Sequence, residues 1–206
     1  MTAELITEVE QLLAGPRPLP LTFAGAPVLR RPATEYTGQL PPDLLAELLA
    51  AMRQTMREAP GVGLAAPQIG LGLRIAVIED DADLAEEVAA AIDRRPLPYQ
   101  VIINPSYQPL GDELAEHYEG CLSVPGYRAV VARPTRVRLS YLDDRLQPQE
   151  REFTGWQARI VQHETDHLNG TLYLDRALLR SLTTTENHLA RWGGTDLGPA
   201  RAALGF

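Results

Sequence analysis

The stretch GWQARIVQHETDHLNG, residues 155–170, repeats apolar side chains at helical spacing and closes on a glycine. On a helix, residues four apart differ by about 40° around the axis, so His163 and His167 face the same way, one turn apart. Two imidazoles so placed can hold one divalent cation. Glu164 lies about 100° round from His163, too far for an easy third ligand, yet beside the open position, where it can take a proton from bound water. The five-residue pattern also arises by chance on an exposed helix, so alone it leaves a metal site and a solvated helix both open. Asp166 reads as a solvated carboxylate or as one bonded to an imidazole N–H, setting its tautomer.

A catalytic metal site needs a third protein ligand. The candidates are His117, His188, the carboxylates and the single cysteine, Cys121. Inert packing is the default for a lone thiol. Cys121 stands in YEGCLSVPG, where glycine and proline impose a rigid turn, and a thiolate is a strong ligand for borderline cations. A third glycine-rich stretch is GVGLAAPQIG, residues 61–70. It lacks the pattern and the lysine of a phosphate loop. Its small residues permit close backbone approach, and Gln68 offers an amide that donates or accepts.

The rest of the chain frames these three stretches. At 206 residues with 45% hydrophobic content it suits one domain with a sizeable core. No apolar run is long enough to span a bilayer. The acidic opening MTAELITEVEQLLAG lacks the basic and apolar regions of a signal peptide, so the expected location is cytoplasmic. The net charge is −8 and all 19 basic residues are arginine, a balance that argues against direct nucleic-acid binding by bulk electrostatics. One cysteine allows no internal disulfide.

Leu5, Ile6, Val9, Leu12 and Leu13 recur at helical spacing, and a proline-punctuated arm follows, so residues 1–24 read as a helix and arm. The clearest helix is PPDLLAELLAAMRQTMREAPG, closed by Pro60-Gly61. LRIAVIE (73–79), YQVIINP (99–105) and RVRLSYLD (136–143) read as strands, the last half-buried and antiparallel. An acidic, then proline-rich excursion lies between the first two. Residues 25–180 form the expected single catalytic domain, and 181–206 a tail with a short helix or none, otherwise loose. The expected class is α+β, mostly antiparallel β-sheets packed around a central helix carrying the HExxH motif.

With these residues in hand, GVGLAAPQIG, EGCLSVPG and QHETDHLNG resemble the three signature motifs of peptide deformylase, in the family's order and each complete, within a resemblance running from Val28 to Asp175. The resemblance implies a metal-dependent hydrolase that removes the N-formyl group from the N-terminal methionine of newly synthesised polypeptides, releasing formate. It implies Cys121, His163 and His167 as metal ligands, and Glu164 as general base and acid. Gln68 and the backbone N–H of Leu122 are implied as oxyanion donors, and Gly63 and Gly120 as flanks of the peptide cleft. The implied cofactor is one divalent ion, Fe(II) in vivo, with Zn(II), Ni(II) or Co(II) as substitutes. The implied partners are N-formylmethionyl nascent peptides; a monomer is expected, though the sequence leaves the oligomeric state open, as it does a transient ribosome contact.

Three features depart from the family's commonest pattern: the arm up to Pro20, the long Asp80–Pro98 connection, and Arg159 and Trp156 one and two turns before His163. An inward-facing Arg159 would change side-chain preference at methionine. Three rivals remain: an HExxH zinc peptidase, which leaves the Cys121 motif unexplained; a cysteine hydrolase, which a chelator would spare; and a non-catalytic binder of peptide N-termini, which has no use for Glu164 and Gln68.

Overall fold

The computed structural model describes residues 2–81 and 83–206. Helix α1 (Thr2–Leu13) opens the chain, and α2 (Pro42–Glu58) follows the arm. Both prolines ahead of Asp43 are tolerated because the first helical positions need no N–H donor: Pro41 caps and Pro42 begins α2. Leu48, Met52 and Met56 line its buried stripe and join Val9 and Leu13 of α1 in the largest core cluster.

Among the described residues the strands are β1 (Gly63–Ala65), β2 (Ile75–Asp80), β3 (Leu97–Pro109), β4 (Leu114–Cys121), β5 (Val124–Pro134), β6 (Arg136–Leu142), β7 (Pro148–Thr154) and β8 (Thr183–Thr184). They make a five-stranded sheet ordered β1-β2-β3-β6-β7 and a three-stranded sheet ordered β4-β5-β8, with every named pairing antiparallel. β2 is buried along its whole length, which is why it reads as a continuous apolar run. β7 is an edge strand, and its Glu152 pairs with Arg138 of β6, charge that discourages edge-to-edge pairing.

Helix α3 (Glu86–Ala91) sits in the excursion between β2 and β3. Helix α4 (Gly155–Leu168) carries the HExxH stretch and is buried on nearly all sides, with Ala158, Ile160, Val161 and Leu168 in a core shared with Val137, Leu139 and Phe153. It begins at Gly155, whose φ of 54° suits glycine and whose missing Cβ leaves room for the Asp93 carbonyl.

The segment after Asp175 is not loose. A helical turn α5 (Thr185–Asn187) and helix α6 (Gly198–Leu204) follow β8, and Trp192, Leu197, Ala200 and Phe206 pack with Tyr118 and Val130 of the three-stranded sheet. Its polar composition hid this, because four apolar residues scattered over the tail show no periodicity until a sheet face gathers them. Among the described residues, no helix is long and apolar enough to cross a membrane.

Candidate metal centre and adjoining cleft

The sheets bring two loops over α4. β4 ends at Cys121, after a register shift between Glu119 and Cys121. The Cys121 Sγ lies 3.2 Å from His167 Nε2 and accepts the Ser123 N–H at 3.4 Å. One donor atom from each of Cys121, His163 and His167 falls within 4.8 Å of the other two. A cation about 2.0–2.3 Å from imidazole nitrogen and thiolate sulfur needs donors roughly 3–4 Å apart, so small adjustments let this group hold one. Three ligands of this kind leave a fourth position open.

Glu119 orients the first histidine. Its Oε2 lies 2.9 Å from His163 Nδ1, which commits that nitrogen to the carboxylate and leaves Nε2 for a cation. Arg133, 2% exposed, donates to Glu119 from Nε at 2.6 Å and Nη2 at 3.0 Å, and to Asp166 from Nη1 at 2.8 Å. Arg176 forks onto Asp166 from outside, at 2.8 and 2.9 Å. Burial works against the Glu119 charge, but Arg133 and the His163 hydrogen bond outweigh it and hold the carboxyl well below its ordinary range. With Arg159, three guanidiniums face the two carboxylates Glu119 and Asp166.

His167 is held neutral, well below the usual imidazole range, by burial first and then by the charges of His163 and Arg133; neutral imidazole is the form that ligates. Glu164 is 4% exposed and its Oε2 has no hydrogen-bond partner. Burial raises its pKa to about 7, against the lowering effect of His163 and Arg133, so it can exchange a proton near neutrality. Gly63 lies directly over it: a Cβ at that position would overlap the Glu164 carboxylate, so only glycine lets β1 come this close to α4.

Gln68, 1% exposed, accepts the Ala65 N–H at 2.8 Å through Oε1 and turns Nε2 toward Cys121 Sγ at 3.6 Å. Leu122 follows the thiol. These side chains line a cleft of about 720 Å³ that also takes in Gly63, Gly120, Glu164, His163 and, farther back along α4, Ile160, Arg159 and Trp156. β1 and β4, which flank it, are both edge strands. The arm ties its two sides together, because Thr22 N–H donates to the Gln68 carbonyl at 2.7 Å and Ala24 N–H to the Ser123 carbonyl at 2.8 Å.

All eight residues singled out from sequence thus gather here, while His117 and His188 lie outside the ligand group. His117 meets Trp156 edge-on, and His188 meets Tyr118. Asp166 bonds to Arg133, Arg176 and Tyr107 rather than to an imidazole. The tautomer-setting carboxylate is Glu119, which sequence reasoning missed. Its signal was a lone acid inside a motif of otherwise small and apolar residues. Arg159 lines the cleft, and its guanidinium turns back to Glu119, the Val131 carbonyl and the Ala115 carbonyl.

The sequence profile of the polypeptide deformylase family matches residues 18–182. The chain is 59% identical over 202 residues to peptide deformylase 3 of Streptomyces avermitilis, covering 98% of this chain and 90% of that one. It is 49% identical over 212 residues to peptide deformylase 1 of Bifidobacterium longum, covering 98% and 94%. Among solved structures, a class I type b peptide deformylase of Acinetobacter baumannii with Met-Ala-Ser bound superposes with a TM-score of 0.69 at 35% identity, over 77% of this chain and 97% of that one.

Proposed function

The chain belongs to the peptide deformylase family, a metal-dependent hydrolase that removes the N-formyl group from new polypeptides, and from that premise we propose how its residues divide the work. Cys121, His163 and His167 hold the metal, with Fe(II) as the ion in vivo and Zn(II), Ni(II) or Co(II) able to replace it, since one thiolate and two imidazoles suit them all. When bound, the ion supplies Lewis acidity that makes water nucleophilic near neutral pH.

Water adds to the formyl carbon, the C–N bond breaks, and formate and a free amine depart. Glu164 takes the proton of the adding water and hands it to the amine nitrogen as the bond breaks, because that nitrogen cannot leave as an anion. Gln68 Nε2–H and Leu122 N–H donate to the oxygen that gains charge; one such donor is worth about 10²–10³ in kcat. The main chains at Gly63 and Gly120, on two edge strands, pair with the extended substrate. The location that goes with this reading is the cytoplasm, where ribosomes release formylated chains.

One observation carries this reading: a buried carboxylate with an unpartnered oxygen lines the same cleft as a sulfur and two ring nitrogens that a single cation can span. The test is formate release from formyl-Met-Ala-Ser by protein purified anaerobically, with metal analysis. Turnover should track metal content, vanish on chelation and return with Fe(II), and Cys121→Ala should purify without metal. Turnover that survives chelation would instead make Cys121 and His167 a thiol–imidazole pair and overturn the assignment.

A further inference from the structure

The excursion between β2 and β3 is fastened to the first turn of the catalytic helix. Trp156 N–H donates to the Asp93 carbonyl at 3.0 Å, and Gln157 Nε2 donates to the Pro96 carbonyl at 2.8 Å. Between those anchors, Arg94 reaches the cleft. Asp80 grips its guanidinium with two bonds, at 2.8 and 2.9 Å. The same guanidinium lies over the Trp156 ring at 5.3 Å, while Arg159 lies over that ring at 5.7 Å and His117 meets its edge at 5.6 Å. The indole is therefore pinned by two cations and one imidazole ring.

Trp156 stands seven residues before His163, about 10 Å along the helix axis. Ile160 and Arg159 lie between them in the cleft lining, with the Arg159 guanidinium held by Glu119 and the Val131 and Ala115 carbonyls. A side chain that starts near the metal ligands and runs back along α4 thus meets Ile160 and then an indole. An unbranched thioether suits that channel, because sulfur makes favourable contacts with aromatic rings.

Resting on the peptide-cleft reading above, we propose that the excursion is a specificity element: Arg94, anchored by Asp80 and stacked on Trp156, closes the far end of the channel that receives the first residue's side chain. It limits the channel to a methionine-sized occupant. Without Arg94 the indole loses one of its two stacking cations, can rotate, and lengthens the channel for bulkier side chains.

The experiment compares formyl-Met-Ala-Ser with formyl-Phe-Ala-Ser in kcat/KM for the metal-loaded wild type, Arg94→Ala and Arg94→Lys. Lysine keeps a cation for Asp80 but lacks the planar face that stacks, so folding is not at stake in that variant. The methionine-over-phenylalanine ratio should fall about tenfold in Arg94→Ala, and by less in Arg94→Lys. A fall of about threefold or more in either variant supports the proposal, and a smaller change in both overturns it. If the wild type itself releases no formate from the methionine peptide, the peptide-cleft reading is at fault. A wild type that turns over, with variants that keep its ratio, condemns the role of Arg94 alone.

Discussion

Replacing Glu119 by glutamine probes the support of the metal centre while sparing every proposed ligand. The carboxylate accepts four charged or polarised donors: Arg133 Nε and Arg159 Nη1 on Oε1, Arg133 Nη2 and His163 Nδ1 on Oε2. An amide keeps one oxygen and turns the other into a donor. Whichever way it sits, two of the four contacts become donor facing donor. Two buried guanidiniums also lose their shared counter-charge. Breaking a buried pair from one side costs about 3–5 kcal/mol. For a chain of this size that is a fall in Tm of roughly 6–20 °C. His163 loses the partner that directs its Nε2, which should weaken metal affinity about 10–100-fold. The assay is chelator competition for Zn(II), with thermal unfolding of the metal-free and loaded protein. A Tm within about 2 °C of wild type and metal affinity within about twofold would refute the idea that Glu119 holds the centre together.

Glu164→Gln should keep its metal and lose about 10²–10⁴ of turnover, read as formate release beside metal content; an unaffected rate removes Glu164 from the chemistry. Gly63→Ala must push β1 or the Glu164 carboxylate aside, and a displacement near 1 Å should cost on the order of 10²-fold in kcat/KM. Wild-type kinetics in that variant would show that the close approach has no catalytic value. Arg53 and Arg57 chelate Glu79 on β2 and lower its pKa to about 2 from 4.5, the Arg53 bond contributing most. A carboxyl whose folded pKa is depressed contributes stability above its unfolded pKa and loses it as pH falls through the folded value. Wild type should therefore lose roughly 1–3 kcal/mol between about pH 4.5 and pH 2 that Glu79→Gln does not lose. Parallel urea-unfolding curves for the two proteins across that range would contradict the pairing.

Much of the centre was legible because its pieces are local. Helical spacing puts two imidazoles on one face from the letters alone, and the glycine–proline frame of Cys121 signals a fixed turn. The helix over α2 was equally plain, since its apolar stripe is regular. β5 and β7 were harder. β7, PQEREFT, carries charge on a solvent edge, and no periodicity betrays it. The docked tail escaped for a related reason: its apolar residues face a sheet that lies far away in sequence.

The chain's letters determined which chemistry was available: a pair of rings one turn apart, an acid beside them, one thiol and one amide. Those follow from backbone geometry that repeats every few residues. Only the folded molecule decided that the thiol meets the rings, that Glu119 rather than Asp166 steadies His163, and that Arg159 turns its charge away while Arg94 comes forward. Each of these depends on which of several long or distant side chains wins a buried partner. Packing across the two sheets settles that competition, and no local repeat encodes it.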